Sequence, residues 1–146
     1  MRNRGKFIIS LLWFISIVLI SLAARSPLLF FILLLLYLDK TLLSMVEIVW
    51  YFGIELLTIP IILGGIGYGP IFGFLLGFII DKVFDVLRIL VAPPVTTRVT
   101  PLVPTFGSLI LGIIGALAGV FGYFIPFVDL VLYLTIIKNV MFVFKE

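Results

Sequence analysis

The chain contains no histidine and no cysteine, so any chemistry rests on seven acidic and ten basic side chains. That removes thiolate nucleophiles, imidazole metal ligands, histidine-ligated haem and disulfides. Two groups of carboxylates have spacing that matters. Glu47 and Glu55 lie eight residues apart with Tyr51 midway, so on a helix the three share roughly one face. Glu55 sits well inside an apolar segment. An ionised carboxylate at a bilayer centre costs at least about 2.5–3.5 kcal/mol, so Glu55 should face a cavity, find a partner or be protonated. Contact with a solute, an ion or a proton is the chemistry it could serve. Glu47 is nearer a span end, where a charge is easier to solvate. With Tyr68 beyond the same segment, Glu55, Tyr51, Glu47 and Tyr68 are the candidate substrate-binding residues.

The second group closes a ladder of small residues. Gly65, Gly69, Gly73 and Gly77 are followed at the same spacing by Asp81 and Asp85. Glycine at every fourth position removes side-chain bulk from one drifting face and lets another helix approach closely. Ser108, Gly112, Gly115, Ala116, Gly119 and Gly122 make a second such face, and the two are expected to meet. Helix packing is the role of Gly65, Gly69, Gly73, Gly77, Gly112, Gly115 and Gly119. Asp81, Lys82, Asp85 and Arg88 read as a solvated cluster where a helix leaves lipid, with an intrahelical Asp85–Arg88 pair allowed by their spacing. The functional alternative makes Asp81, Asp85 and Arg88 a surface facing a partner. Asp129, just after Pro126, suits a helix N-terminus, where a carboxylate complements the dipole. With Arg25 it could also line an outward-facing pocket.

Those residues must be positioned by membrane helices. Of 146 residues, 64% are hydrophobic and 12% charged, against about 25% charged in a soluble domain. The expected fold is all-α: a single transmembrane domain over residues 1–146, a polytopic helix bundle of about six short spans, with four to five as the alternative. Span one covers Phe7 to Ala24 and is expected to be retained rather than cleaved, because its apolar run exceeds a signal core and more spans follow. Arg25-Ser26-Pro27 breaks it. Asp39-Lys40 is the expected inner turn between a short span at 28–38 and a longer one at about 42–63. Gly64 to Pro70 is expected to be a turn, and helices follow at about Pro70 to Leu90, Thr105 to Tyr123 and Pro126 to Phe144. Pro93, Pro94, Pro101 and Pro104 mark a loop that also holds Thr96, Thr97, Arg98 and Thr100. Thr105 is a possible cap.

Charge sets the orientation. With the N-terminus inside, Arg2, Arg4, Lys6, Lys40, Lys82, Arg88, Arg98, Lys138 and Lys145 fall on the inner side and Arg25 alone on the outer side. Both termini are then cytoplasmic in a multi-pass protein of the cell membrane. The scattered basic residues form no patch for nucleic acid. No phosphate loop, catalytic triad or metal site is present in the sequence, so neither an enzyme nor a cofactor or metal is expected.

The stretch Ile59 to Asp85, with Gly69-Pro70, Gly73, Gly77 and Asp81, resembles a recurring segment of the substrate-binding S components of energy-coupling-factor transporters. The rod-shape-determining membrane protein D has a similar short layout. The resemblance implies six spans, both termini inside, and a subunit that binds a small solute and works with partner subunits. The alternative expectation is a structural or accessory subunit whose glycine faces pack within a larger membrane assembly. The partners expected are thus the lipid bilayer, other membrane protein subunits and a small solute, and no nucleic acid.

Overall fold

A computed structural model describes residues 2–41, 56–91, 103 and 105–143, with the backbone alone at Arg2, Asn3 and Arg88. Glu47, Tyr51 and Glu55 lie outside the described residues, as do Arg98 and the prolines at 93, 94, 101 and 104. All regular structure among the described residues is helical. Helix α1 is Arg2–Ala23, α2 Pro27–Thr41, and α3 Thr58–Tyr68. Helix α4 spans 70–91 as Pro70–Leu75, a π turn Leu76–Ile80, and Asp81–Val91. Helix α5 is Phe106–Phe121 and α6 is Phe127–Val143.

The residues explain most of these boundaries. Arg25 closes α1 in a left-handed conformation at φ 50°, a common way to end a helix, and Pro27 opens α2 at a position that needs no helical N–H. Pro60 sits in the first turn of α3, where its missing N–H has no acceptor to serve. Thr105 caps α5 reciprocally: its Oγ1 accepts from the Ser108 N–H at 3.3 Å, while the Thr105 N–H donates to Ser108 Oγ at 2.7 Å.

Two expected turns are corrected. Asp39 and Lys40 are helical, because α2 runs on to Thr41; Lys40 lies in its last turn, where a cation meets the negative end of the dipole. Gly64 to Gly67 are also helical, and the break is confined to Gly69 at φ 94°. Glycine permits turns without requiring them, and only Gly69, immediately before Pro70, adopts a conformation that other residues resist.

The described residues form two compact units. One holds α1, α2, residues 56–57 and the stretch Val83 to Val91. The other holds α3, residues 70–82 of α4, α5 and α6. In the first unit, Ile17 and Ser21 on α1 and Ile32, Leu33, Leu36 and Lys40 on α2 form buried stripes at helical spacing. In the second, Ile62, Ile110, Ile114, Ala118, Leu130 and Leu134 form one core.

One helix, Arg4–Ala23 within α1, is long and apolar enough to cross a membrane by length and composition, and only 11% of that window is buried. Thr58–Tyr68 and Phe106–Phe121 are shorter apolar helices.

Candidate functional site: a buried polar layer and a buried ion pair

The second unit is built on close backbone contact. A Cβ at Gly73 would lie 2.7 Å from the carbonyl carbon of Gly115 and 2.7 Å from the Cα of Gly65. One at Gly77 would lie 2.7 Å from the amide nitrogen of Gly112, and one at Gly65 2.9 Å from that of Gly119. Such separations leave no room for a side chain, so α3, α4 and α5 meet backbone to backbone. Gly69 plays another part. The space beside its own Cα is open, and its contribution is the positive φ that turns α3 into α4; it is corrected from a packing to a turning residue. Its backbone is nevertheless approached by Gly119, where an added Cβ would come within 2.8 Å of the Gly69 carbonyl carbon.

These contacts set the register of the helices. Gly119 meets Pro70, Gly115 meets Gly73 and Gly77 meets Leu111, so α4 and α5 run antiparallel, about four residues to a step. One further step brings Asp81 level with Ser108. Helices α3 and α4 pair about Gly69, with Gly65 against Gly73 and Gly64 against Leu76, which brings Thr58 level with Ile80. From α6 the Lys138 Nζ donates to Thr58 Oγ1 at 3.1 Å. The result is a polar layer at one end of the unit, with Thr58, Asp81, Ser108 and Lys138 supplied by four different helices. All four are buried.

The π turn is what keeps Asp81 on the packed face. In a straight α-helix, the eight residues from Gly73 to Asp81 advance about 80° beyond two full turns. A π turn adds one residue and takes back about 100°, leaving the two positions within about 20° of each other. The four-residue ladder therefore stays on one face where a plain α-helix would carry it away.

The first unit holds the other buried charges. Lys40 Nζ on α2 donates to Asp85 Oδ1 on α4 at 2.7 Å, and each side chain is only 7% exposed. Around this pair, Tyr37 and Ser10 share a hydrogen bond of 2.5 Å between their hydroxyls, and Trp13 packs on Phe84 with ring centroids 5.4 Å apart. Lys82 approaches Asp81 at 3.9 Å in the second unit.

The expectation of a solvated acidic face is therefore corrected at Asp81 and Asp85. Asp81 is 2% exposed and Asp85 5% exposed, so both carboxylates are buried rather than solvated. Asp85 reaches Lys40 across 45 residues of sequence; the expected pairing with Arg88 lies outside the described side chains. Lys40 and Lys138, counted above as inner-side topology charges, are buried and engaged instead. Tyr68 is exposed and packs on Phe72 at the opposite end of α3 from the polar layer. Asp129 lies exposed in the first turn of α6, and Arg25 is exposed at the end of α1. Thr58 gave no sequence signal, and Ser108 appeared only as a small residue on a packing face.

No protein-family model matches this chain, and neither a curated protein nor a solved structure matches it.

Proposed function

We propose that the chain is a multi-pass membrane protein with both termini cytoplasmic, acting as an S-component-like subunit that binds or transports a small solute alongside partner subunits. The observation that carries this reading is the inversion of polarity. Large apolar side chains stand outside, with Phe7 69%, Ile71 78%, Val128 73% and Val143 72% exposed. Charged side chains stand inside, in the Lys40–Asp85 pair and the layer of Thr58, Asp81, Ser108 and Lys138. Lipid satisfies the apolar exterior. Ionisable groups held inside membrane helices mark solute, ion or proton pathways more often than inert structure. The resemblance of Ile59 to Asp85 to S-component segments supports the same reading, and Glu55, Tyr51, Glu47 and Tyr68 remain its pocket candidates.

The accessory-subunit reading draws less support. It relies on glycine faces to grip other subunits, and Gly65, Gly73, Gly77, Gly112, Gly115 and Gly119 are occupied by one another within this chain. A scaffold also has no need of a buried charged layer. Purification of the tagged protein from its native membrane in mild detergent, followed by mass spectrometry, tests the choice. The solute-binding reading predicts stoichiometric recovery of an ATPase pair and a coupling subunit. Recovery of a large structural assembly, or of the protein alone, contradicts it.

A further inference from the structure

Lys40 follows an unbroken apolar run from Leu28 to Leu38 and then Asp39. A lysine in that position ordinarily extends its stem along the helix and sets its ammonium in the aqueous interface. Here the whole residue is 6% exposed and its Nζ is held 2.7 Å from Asp85 Oδ1. A single ion moved into an apolar interior loses its hydration with nothing in return, whereas two opposite ions in contact enter as a neutral couple. Removing one partner strands the other; removing both leaves an apolar contact of similar size.

We infer that Lys40 and Asp85 form an insertion pair, so that the end of α2 holds its buried place only once the Val83 to Val91 stretch of α4 has docked against it. The inference rests on the membrane reading above. The surrounding contacts agree with it. Helix α2 is tied to α1 near its middle by the Ser10–Tyr37 hydrogen bond and the Phe14–Tyr37 ring contact, and the Val83 to Val91 stretch is tied to α1 by Trp13 and Phe84. Between α2 and α4 the contact is a charged one, and its partners are 45 residues apart. Lys40 is thereby removed from the set of cations that orient the chain, and sidedness falls to the remaining cations.

The absence of cysteine from the whole sequence makes the test direct. Thr41 is buried beside Lys40, so Thr41→Cys reports the end of α2 as the sole thiol. Labelling of membrane vesicles with a water-soluble maleimide should be slow in this parent. Asp85→Asn should raise the labelled fraction several-fold, or lose the protein to degradation. The double change Lys40→Met with Asp85→Met should restore protection and recovery, and the exchange Lys40→Asp with Asp85→Lys should restore them in part. Asp85→Asn labelled as slowly as the parent, or a double variant as reactive or as degraded as Asp85→Asn, would overturn the inference. Release of the parent from vesicles by alkaline carbonate would count against the membrane reading alone. The same variants, labelled in solution, would then still judge the pair.

Discussion

At the residue scale, what matters is where a glycine's missing side chain points. Gly73→Ala and Gly115→Ala each push a methyl group into opposing backbone, which cannot rotate aside as a side chain can. Both should lower the apparent melting temperature in detergent clearly, and Gly5→Ala, which meets open space on α1, should leave it unchanged or raise it. Gly69→Ala has open space too, but its backbone at φ 94° and ψ 170° sets a penalty of about 1–3 kcal/mol, so it should destabilise without any steric neighbour. A melting series over these four variants checks the assignment, and equal effects at Gly5 and Gly73 would refute it. The small-residue faces were legible because their spacing is local. The charged contacts were not. Lys138 meets Thr58 across 80 residues and Lys40 meets Asp85 across 45, and no window along the chain relates them.

The π turn is the feature of this chain that belongs to the scale of elements. If Leu76–Ile80 holds one added residue, deleting Ile79 should return α4 to plain α geometry while leaving Gly73 and Asp81 on one face. That variant should fold and melt near the parent. Deleting Ile113, within the plain α-helix α5, should instead turn Gly112 by about 100° from Gly115 and Gly119, break its close approach to Gly77, and abolish recovery of folded protein. Comparable losses for both deletions would contradict the register argument. Thr105→Ala removes one half of the reciprocal cap on α5 and should cost about 1 kcal/mol in reversible unfolding. That cap, the end of α1 and the start of α6 after Pro126 could be read from the sequence, since Thr, Arg-Ser-Pro and Pro act on their own neighbours. The two misplaced turns show the limit. Asp39-Lys40 looked like a polar break, but both residues lie in the last turn of α2, which ends at Thr41, and Asp85 supplies Lys40 with a partner. The glycines from Gly64 to Gly67 looked like a turn, but they are helical, with Gly65 packed on α5 and Gly64 on α4.

At the scale of the whole molecule, the composition pointed to the all-helical class, and among the described residues Lys40, Asp81, Asp85 and Lys138 are buried. The polarity inversion itself was only half visible beforehand. Hydrophobic excess announces an apolar exterior, while the burial of Asp81, Asp85, Lys40 and Lys138 depends on which helices meet. If the chain lies in lipid with α5 and α6 as a hairpin, the exposed Tyr123 and Phe124 between them occupy the outer interface, where aromatic rings are favoured. The acidic and basic groups that remain exposed, Asp129 and Arg25 among them, then belong to span ends.

The most direct test of this account is the sidedness of three single cysteines placed in the naturally cysteine-free chain: Asn3→Cys, Tyr123→Cys and Glu146→Cys. In oriented vesicles an impermeant thiol reagent should reach residues 3 and 146 from the cytoplasmic side only and residue 123 from the opposite side only. Labelling of all three from one side, or of each from both sides, would contradict a multi-pass membrane protein with both termini cytoplasmic.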